Sequence, residues 1–330
     1  MGKVYRDGAG DLRYLAGKKV AVLGYGNQGR SQALNLRDSG VEVAVGSGRK
    51  DDSERQAVED GFGILSFEDC ARTCDILMLL LPDELLPQIY EDQIRPHLRP
   101  GQVLCFASGY NVCYKLIDIP EVVDVILLAP RMIGREVRDL FVQGSGAPVL
   151  VGVEQDASGE AESIMLAMAK AIGATRTIAV ESNCEEETLI DLMGEQAIGG
   201  SMLYFTRMVY EVLTEAGCSP EATLLELYAS GENIAVAKAI VEEGLWKQLK
   251  FHSHTSQYGH QKVGKQLVGE QTRDKLKEML SSIRNGDFQR EWTNVQKEGM
   301  RDFESIWQGN LAHPMLKEED RLYKLLGRRE

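Results

Sequence analysis

The chain has 330 residues, 43% of them hydrophobic and 26% charged, which is ordinary globular composition and enough length for two domains with buried cores. A formal net charge of −13 leaves no basic footprint for a phosphate backbone or an anionic bilayer, so neither nucleic acid nor membrane is expected as a partner. The longest apolar stretches, near 76–81 and 122–129, have strand length and fall far short of a bilayer span.

The opening segment, residues 1–12, is polar and carries Asp7 and Asp11, so it reads as the start of a cytoplasmic protein and not as a secretory leader. Residues 18–23 form an apolar strand that breaks into Gly24-Tyr25-Gly26-Asn27-Gln28-Gly29, after which 30–39 follows a helical pattern. A strand running into G-x-G-x-x-G and opening a helix is the dinucleotide-binding turn, because glycines let the backbone approach a pyrophosphate held at the helix N-terminus. Residues 41–45 supply the next strand. Cofactor choice is read just beyond it. Arg49, Lys50 and Ser53 offer themselves to a 2′-phosphate while Asp51 and Asp52 oppose it, so NADPH is expected, with NADH possible.

Apolar, β-branched runs continue at 75–81, 103–107, 123–129, 147–153 and 175–180, separated by helical or turn-rich stretches. That alternation predicts an α/β Rossmann domain, a doubly wound and mostly parallel sheet, over residues 1–182. From 183 to 330 only helix-period segments follow, which predicts an all-α second domain. Six cysteines, at 70, 74, 105, 113, 184 and 218, form no C-x-x-C pair and read as reduced core thiols. His252-Ser253-His254 looks like a metal motif, but an i, i+2 pair converges on one ion only in extended chain, so it reads as a loop or domain contact.

The second domain opens on Ser182 or Asn183 as a helix cap, followed by Glu187, Asp191 and Glu195 at i, i+4 and i+8. Like charges on one helix face cost about 0.2–0.5 kcal/mol per pair, so a positive group is expected over them. Hard, oxygen-seeking Mg²⁺ fits best. The plainer alternative is a solvated acidic face.

Taken together, the stretches GYGNQGRSQALNLRDSGVEV, LLPDELLPQIYEDQIRPHL, DLMGEQA, EAGCSPEATLLE and HTSQYG, with NGDF further on, resemble the short, class I ketol-acid reductoisomerases (acetohydroxyacid isomeroreductases) along nearly the whole chain. The resemblance implies a knotted helical C-terminal domain, a homodimer in which both subunits build each site, with a higher oligomer as the alternative, and two Mg²⁺ ions. It also implies a small-molecule substrate: alkyl migration in an acetohydroxy acid, then hydride transfer from NADPH, on the path to branched-chain amino acids. Carried over by position, Asp191 and Glu195 are catalytic metal ligands, Glu226 is a metal ligand supplied by the second subunit, and Glu187 and Ser253 meet the substrate. Leu81, Pro82 and Gly109 join the glycine turn as cofactor contacts.

Three positions depart from the family. Ser108, in Ser-Gly-Tyr-Asn, replaces a histidine, and Arg131, in Ala-Pro-Arg-Met-Ile-Gly, replaces a lysine. A guanidinium binds charge in a fork but does not shuttle protons, so Ser108 and Arg131 are expected to orient an acceptor. The family spaces two metal-site glutamates at i, i+4, yet here the fourth residue after Glu226 is Ser230. Glu232 can stand in only through an insertion around Gly231, since an unbroken helix would turn it about 120° away. These departures favour an NAD(P)H-dependent reductase diverted to a C=O, C=N or pyridinium-like acceptor in a specialised pathway, with the isomerase step lost. A standard ketol-acid reductoisomerase and a non-catalytic nucleotide-binding homologue remain as alternatives.

Overall fold

The computed structural model describes residues 2–48 and 51–329. They form two compact units, Met1–Ile190 and Asp191–Glu330.

The first unit is built on nine strands: β1 (Val4–Tyr5), β2 (Lys19–Leu23), β3 (Glu42–Gly46), β4 (Gly63–Leu65), β5 (Ile76–Leu79), β6 (Val103–Phe106), β7 (Asp124–Pro130), β8 (Val149–Gln155) and β9 (Ala179–Glu181). Their order in the single sheet is β1-β9-β8-β7-β6-β5-β2-β3-β4. All pairs from β7 through β4 are parallel; β8 turns back antiparallel to β7, and β1 antiparallel to β9. The mostly parallel, doubly wound sheet expected from the alternating runs is therefore present. Central strands of such a sheet are covered on both faces and need apolar residues at every position. Val20, Val22, Ile76, Met78 and Cys105 pack into one core, and Ala21, Leu23, Leu77, Leu79, Leu104 and Phe106 into the opposite one.

Two details differ from the pattern-based expectation. β1 and β4 span two and three residues, too short to show a period, and exist because neighbouring strands present open edges. Of the run 175–180, the first part is a 3₁₀ turn over Ala174–Arg176 and the strand begins only at Ala179.

The topology also places the site. The chain leaves β2 toward β3 and β4, then returns to lay β5 on the other flank of β2. At such a switch point the connecting loops part at the carboxyl ends of the strands and leave a crevice for a ligand.

Among its described residues the second unit has helices and no strand. The helix Cys184–Met193 is capped as the sequence indicates: Glu186 N–H donates to Asn183 Oδ1 at 2.8 Å. It continues as a π-helical segment, Gly194–Gly200, into the helix Ser201–Glu215. A second π-helical segment, Leu225–Ala229, follows the helix Pro220–Leu224. The buried apolar core is small, comprising Tyr210, Leu224, Ala229, Met315 and Leu322. Met202, Leu203, Phe205, Met208, Trp246 and Trp307 are instead substantially exposed. No helix among the described residues is long and apolar enough to cross a membrane. Four of the six thiols are buried as expected; Cys113 is half-buried and Cys218 is exposed, which corrects its reading as a core residue.

Candidate active site

At the end of β2 the chain turns at Gly24, whose φ of +99° lies where side chains rarely go. A Cβ there would also stand 2.6 Å from the Leu80 carbonyl oxygen, so the turn lies directly on the loop after β5. Gly29 sits in the first turn of helix α1 (Asn27–Asp38), and a Cβ on it would fall 1.9 Å from the Gly24 carbonyl oxygen. The helix N-terminus thereby reaches the turn with its backbone N–H groups exposed to an anion. Tyr25 is pinned by its hydroxyl, which donates to Asp60 Oδ2 at 2.8 Å, while Arg30 Nε donates to the same oxygen at 2.7 Å. The Arg30 guanidinium holds the Asp60 carboxyl below the usual carboxylate range, so the pin stays charged at neutral pH.

Beside this turn lies a cavity of about 690 Å³. Its walls include Gly24, Tyr25, Gly26, Asn27, Gln28, Ser53, Leu81 and Pro82, all anticipated from sequence. Ser47, Asp51, Glu54 and Phe67 also line it. Of these, only Asp51 carried a signal, as an acid shortly after the second strand. Gly29 and Gly109 are not walls, and Arg49 and Lys50 lie outside the described residues. A larger groove of about 800 Å³ borders β1, β8 and β9, where Lys3 pairs with Glu162 and Glu181 and the Tyr5 hydroxyl donates to Glu162. The glycine turn forms part of the smaller cavity's wall. Replacing Gly29 with Ala should displace backbone that has nowhere to go, at a cost of about 1–3 kcal/mol, or roughly 5- to 150-fold weaker NADPH binding in a fluorescence titration.

The loops after β6 and β7 meet on one carboxylate. Glu187, with its side chain 1% exposed, accepts from the Gly109 N–H at 2.7 Å through Oε2 and from Arg131 Nη2 at 2.7 Å through Oε1. Gly109 is pressed so closely on the helix Cys184–Met193 that a Cβ would lie 2.3 Å from the Cys184 carbonyl oxygen. Arg131 is further held by its Nε to the Ala129 carbonyl at 3.3 Å and its backbone N–H to the Pro148 carbonyl at 2.8 Å. Gln28 Nε2 donates to the Met132 carbonyl at 2.7 Å, and a Cβ at Gly134 would stand 2.2 Å from Asn27 backbone, so the Arg131 loop is fastened to the dinucleotide turn. Asn111 Nδ2, donating to Asp83 Oδ1 at 2.9 Å, ties the Ser108 loop to the one after Leu81-Pro82. Ser108 Oγ accepts from the Tyr110 N–H at 3.3 Å.

Both oxygens of Glu187 accept from protein donors, so it stands as a buried strut between the two loops. The positive group expected over the acidic face is, for Glu187, the Arg131 guanidinium. The Gly109 N–H donates to that strut.

In the second unit Asp191 is half-buried on the helix and Glu195 is exposed on the π-helical segment that begins at Gly194. The i, i+4, i+8 repeat is thus not carried by one regular helix. Glu226, also exposed, lies on the second π-helical segment. Such segments re-aim side chains and are frequent at functional sites. Glu232 begins a separate helix, Glu232–Glu243, because Gly231 adopts a φ of +85° and breaks the chain's helical course. Glu226 and Glu232 therefore do not share one continuous helix. Ser253 caps the helix His254–Leu267 by accepting from the Ser256 N–H at 3.2 Å. His252 is engaged with Gln248 at 3.1 Å. Among the described residues no three His, Cys, Asp or Glu side chains converge on a metal position within one chain.

Residues 14–177 match the family described as acetohydroxy acid isomeroreductase, NADPH-binding domain, and residues 184–327 match ketol-acid reductoisomerase, C-terminal domain. The chain belongs to the ketol-acid reductoisomerase family. A ketol-acid reductoisomerase (NADP(+)) from Pyrobaculum calidifontis is 38% identical over 99% of both chains. One from Sulfolobus acidocaldarius is 41% identical over 92% of this chain and 94% of the relative. A ketol-acid reductoisomerase (NAD(P)(+)) from Metallosphaera sedula is 43% identical over 88% and 86% respectively. Among solved structures, an NADH-preferring ketol-acid reductoisomerase from an uncultured archean superposes with a TM-score of 0.92 at 38% identity, covering 98% of this chain and 99% of that one. Like its family, this chain is an NAD(P)H-dependent oxidoreductase with a Rossmann unit followed by a helical unit.

Proposed function

We propose that this protein is a Mg²⁺-dependent ketol-acid reductoisomerase that converts 2-acetohydroxy acids into 2,3-dihydroxy acids with a reduced nicotinamide nucleotide. The observation that carries this is the end-to-end match to relatives bearing that name, 38% identical across 99% of both chains. It favours the standard reaction over diversion to another acceptor.

Asp191 and Glu195 would hold metal with hard carboxylate oxygens, which suits Mg²⁺. Among the described residues no three such side chains converge on a metal position, and by family position Glu226 of a second copy would supply the rest, with Glu232 as a further candidate. Held there, Mg²⁺ would supply Lewis-acid polarisation of the substrate's oxygens. The protein's own share is positional. The Gly24–Gln28 turn seats the dinucleotide, Leu81 and Pro82 wall it in, and Ser108 and Arg131 orient the acceptor's oxygens. Ser253, whose hydroxyl oxygen caps a helix, keeps its O–H as a donor to a substrate carboxylate. The exposed apolar side chains of the second unit are too many for a lone chain in water and support a homodimer. Light scattering after size exclusion should report a dimer or larger; a stable monomer would remove the shared site.

One observation favours a diverted reductase as second reading. Arg131 stands where the family has lysine and is locked onto Glu187, and a guanidinium cannot lend a proton to the migration. The two readings part in one assay. With 2-acetolactate and Mg²⁺, NADPH or NADH should be oxidised, and EDTA should stop it. If the protein ignores 2-acetolactate but reduces the 3-hydroxy-2-oxo acid formed by alkyl migration, only the reductase half survives. If it reduces neither, the proposed reaction is wrong.

A further inference from the structure

We infer that His252 and His260 form a two-histidine site for a borderline divalent transition-metal ion, Zn²⁺ foremost, using none of the carboxylates at 191, 195 and 226. The metal-like run His252-Ser253-His254 supplies one ligand, and the second stands eight residues further on, where spacing along the chain gives no hint of it. The two imidazole rings lie with centroids 5.6 Å apart and planes tilted by 53°. An ion bound at about 2.0–2.1 Å from a ring nitrogen sits roughly 3.2 Å from that ring's centre, so two imidazoles sharing it at a tetrahedral angle have centres about 5.2 Å apart. The observed spacing needs only a small turn of either ring.

Both rings are also prepared as ligands. A neutral imidazole has one N–H and one lone pair, and the partner of the N–H decides which nitrogen keeps the lone pair. His260 Nδ1 faces the Ser256 carbonyl oxygen at 2.8 Å, which can only accept, so the proton sits there and Nε2 keeps the lone pair. The Ser256 hydroxyl oxygen, 3.2 Å from the same nitrogen, shares that N–H. His252 Nε2 faces Gln248 Oε1 at 3.1 Å, which assigns its proton likewise and leaves the lone pair on Nδ1. An N–H held by an oxygen acceptor behind the ring is the arrangement that orients metal-ligating histidines. Gln248 is buried, and Gln257 Nε2 donates to the His252 carbonyl at 2.8 Å, so the first ligand is held from two sides. Imidazole suits Zn²⁺, Ni²⁺ and Cu²⁺, whereas Mg²⁺ keeps to oxygen and does not compete. Water fills the remaining positions, since the described residues bring no third such side chain to one point. Bound there, the ion ties the residue before the Ser253 cap to the second turn of the helix His254–Leu267 and fastens the start of that helix.

The test is a calorimetric titration of the full chain with Zn²⁺ in excess Mg²⁺, which occupies hard oxygen sites, for the wild type, His252→Ala, His260→Ala and His254→Ala. The wild type should take up Zn²⁺. His252→Ala and His260→Ala should each weaken that binding by about tenfold or more, and His254→Ala by less than about threefold. Zn²⁺ should also raise the thermal midpoint of the wild type and of His254→Ala but of neither other variant, because an ion that binds only the folded chain stabilises it. All three side chains are exposed or half-buried, so the midpoints without Zn²⁺ report folding independently. No Zn²⁺ uptake by the wild type overturns the site. Wild-type affinity in either His252→Ala or His260→Ala, or an equal loss in His254→Ala, overturns the ligand pair. Turnover of 2-acetolactate in Mg²⁺ without Zn²⁺ is scored separately, so failure of the proposed reaction and failure of this site are told apart.

Discussion

Replacing Glu187 with Gln should cost about 3 kcal/mol of stability, read as a lower denaturation midpoint. Breaking a buried ion pair costs roughly 3–5 kcal/mol because the surviving charge is left uncompensated, and the low end applies here since Arg131 keeps some water contact with its side chain 30% exposed. The loss should spread beyond the pair. Glu187 joins the Gly109 loop to the Arg131 loop, and the latter is fastened to the dinucleotide turn through Gln28 and Met132, so NADPH affinity should fall as well. Arg131→Met should do similar damage, because it orphans the carboxylate. The double variant, Arg131→Met with Glu187→Gln, should regain part of the loss, since removing both charges is far cheaper than removing one. If Glu187→Gln unfolds at the wild-type midpoint, Glu187 is no strut and the substrate role implied by family position returns.

Asp191→Asn should lower turnover of 2-acetolactate by about 100-fold or more while leaving the NADPH dissociation constant within about threefold of the wild type. Lewis-acid stabilisation of a transition state is worth several kcal/mol, and each 1.4 kcal/mol is a factor of ten. Asparagine keeps shape and one oxygen but surrenders the charge that a divalent ion requires. Because Asp191 and the Gly24–Gln28 turn belong to different compact units, nucleotide binding serves as an internal control for folding of the first. Turnover above a tenth of the wild-type rate would remove Asp191 from the metal site. Full function of this variant in cells would instead favour the non-catalytic alternative.

Much of this chain is legible in its sequence, because the signals are local. The parallel strands show as unbroken apolar runs since both faces of the sheet are covered, and the glycine turn shows because no side chain fits at Gly24 or Gly29. The cap at Asn183 was readable for the same reason: a side-chain oxygen meeting an N–H three residues on is a short-range event. Eight cavity walls could be named in advance, all of them in or near that turn, at the start of the helix Asp52–Glu59, or in the loop after β5.

The rest depends on residues far apart in the chain. Arg131 and Glu187 are 56 positions apart, and nothing in either neighbourhood announces that one neutralises the other. Asp51 reads in sequence as one of two acids among cations; only the fold brings it into the same cavity wall as the glycine turn and Leu81. The π-helical segments Gly194–Gly200 and Leu225–Ala229 have no signature in hydrophobic period, which cannot resolve an inserted residue. Sequence alone therefore determined the family, the sheet, the turn and the inventory of charged groups, since each follows from backbone sterics and side-chain burial at short range. Which charges face each other was decided by tertiary structure, because electrostatic partners are chosen by distance in space.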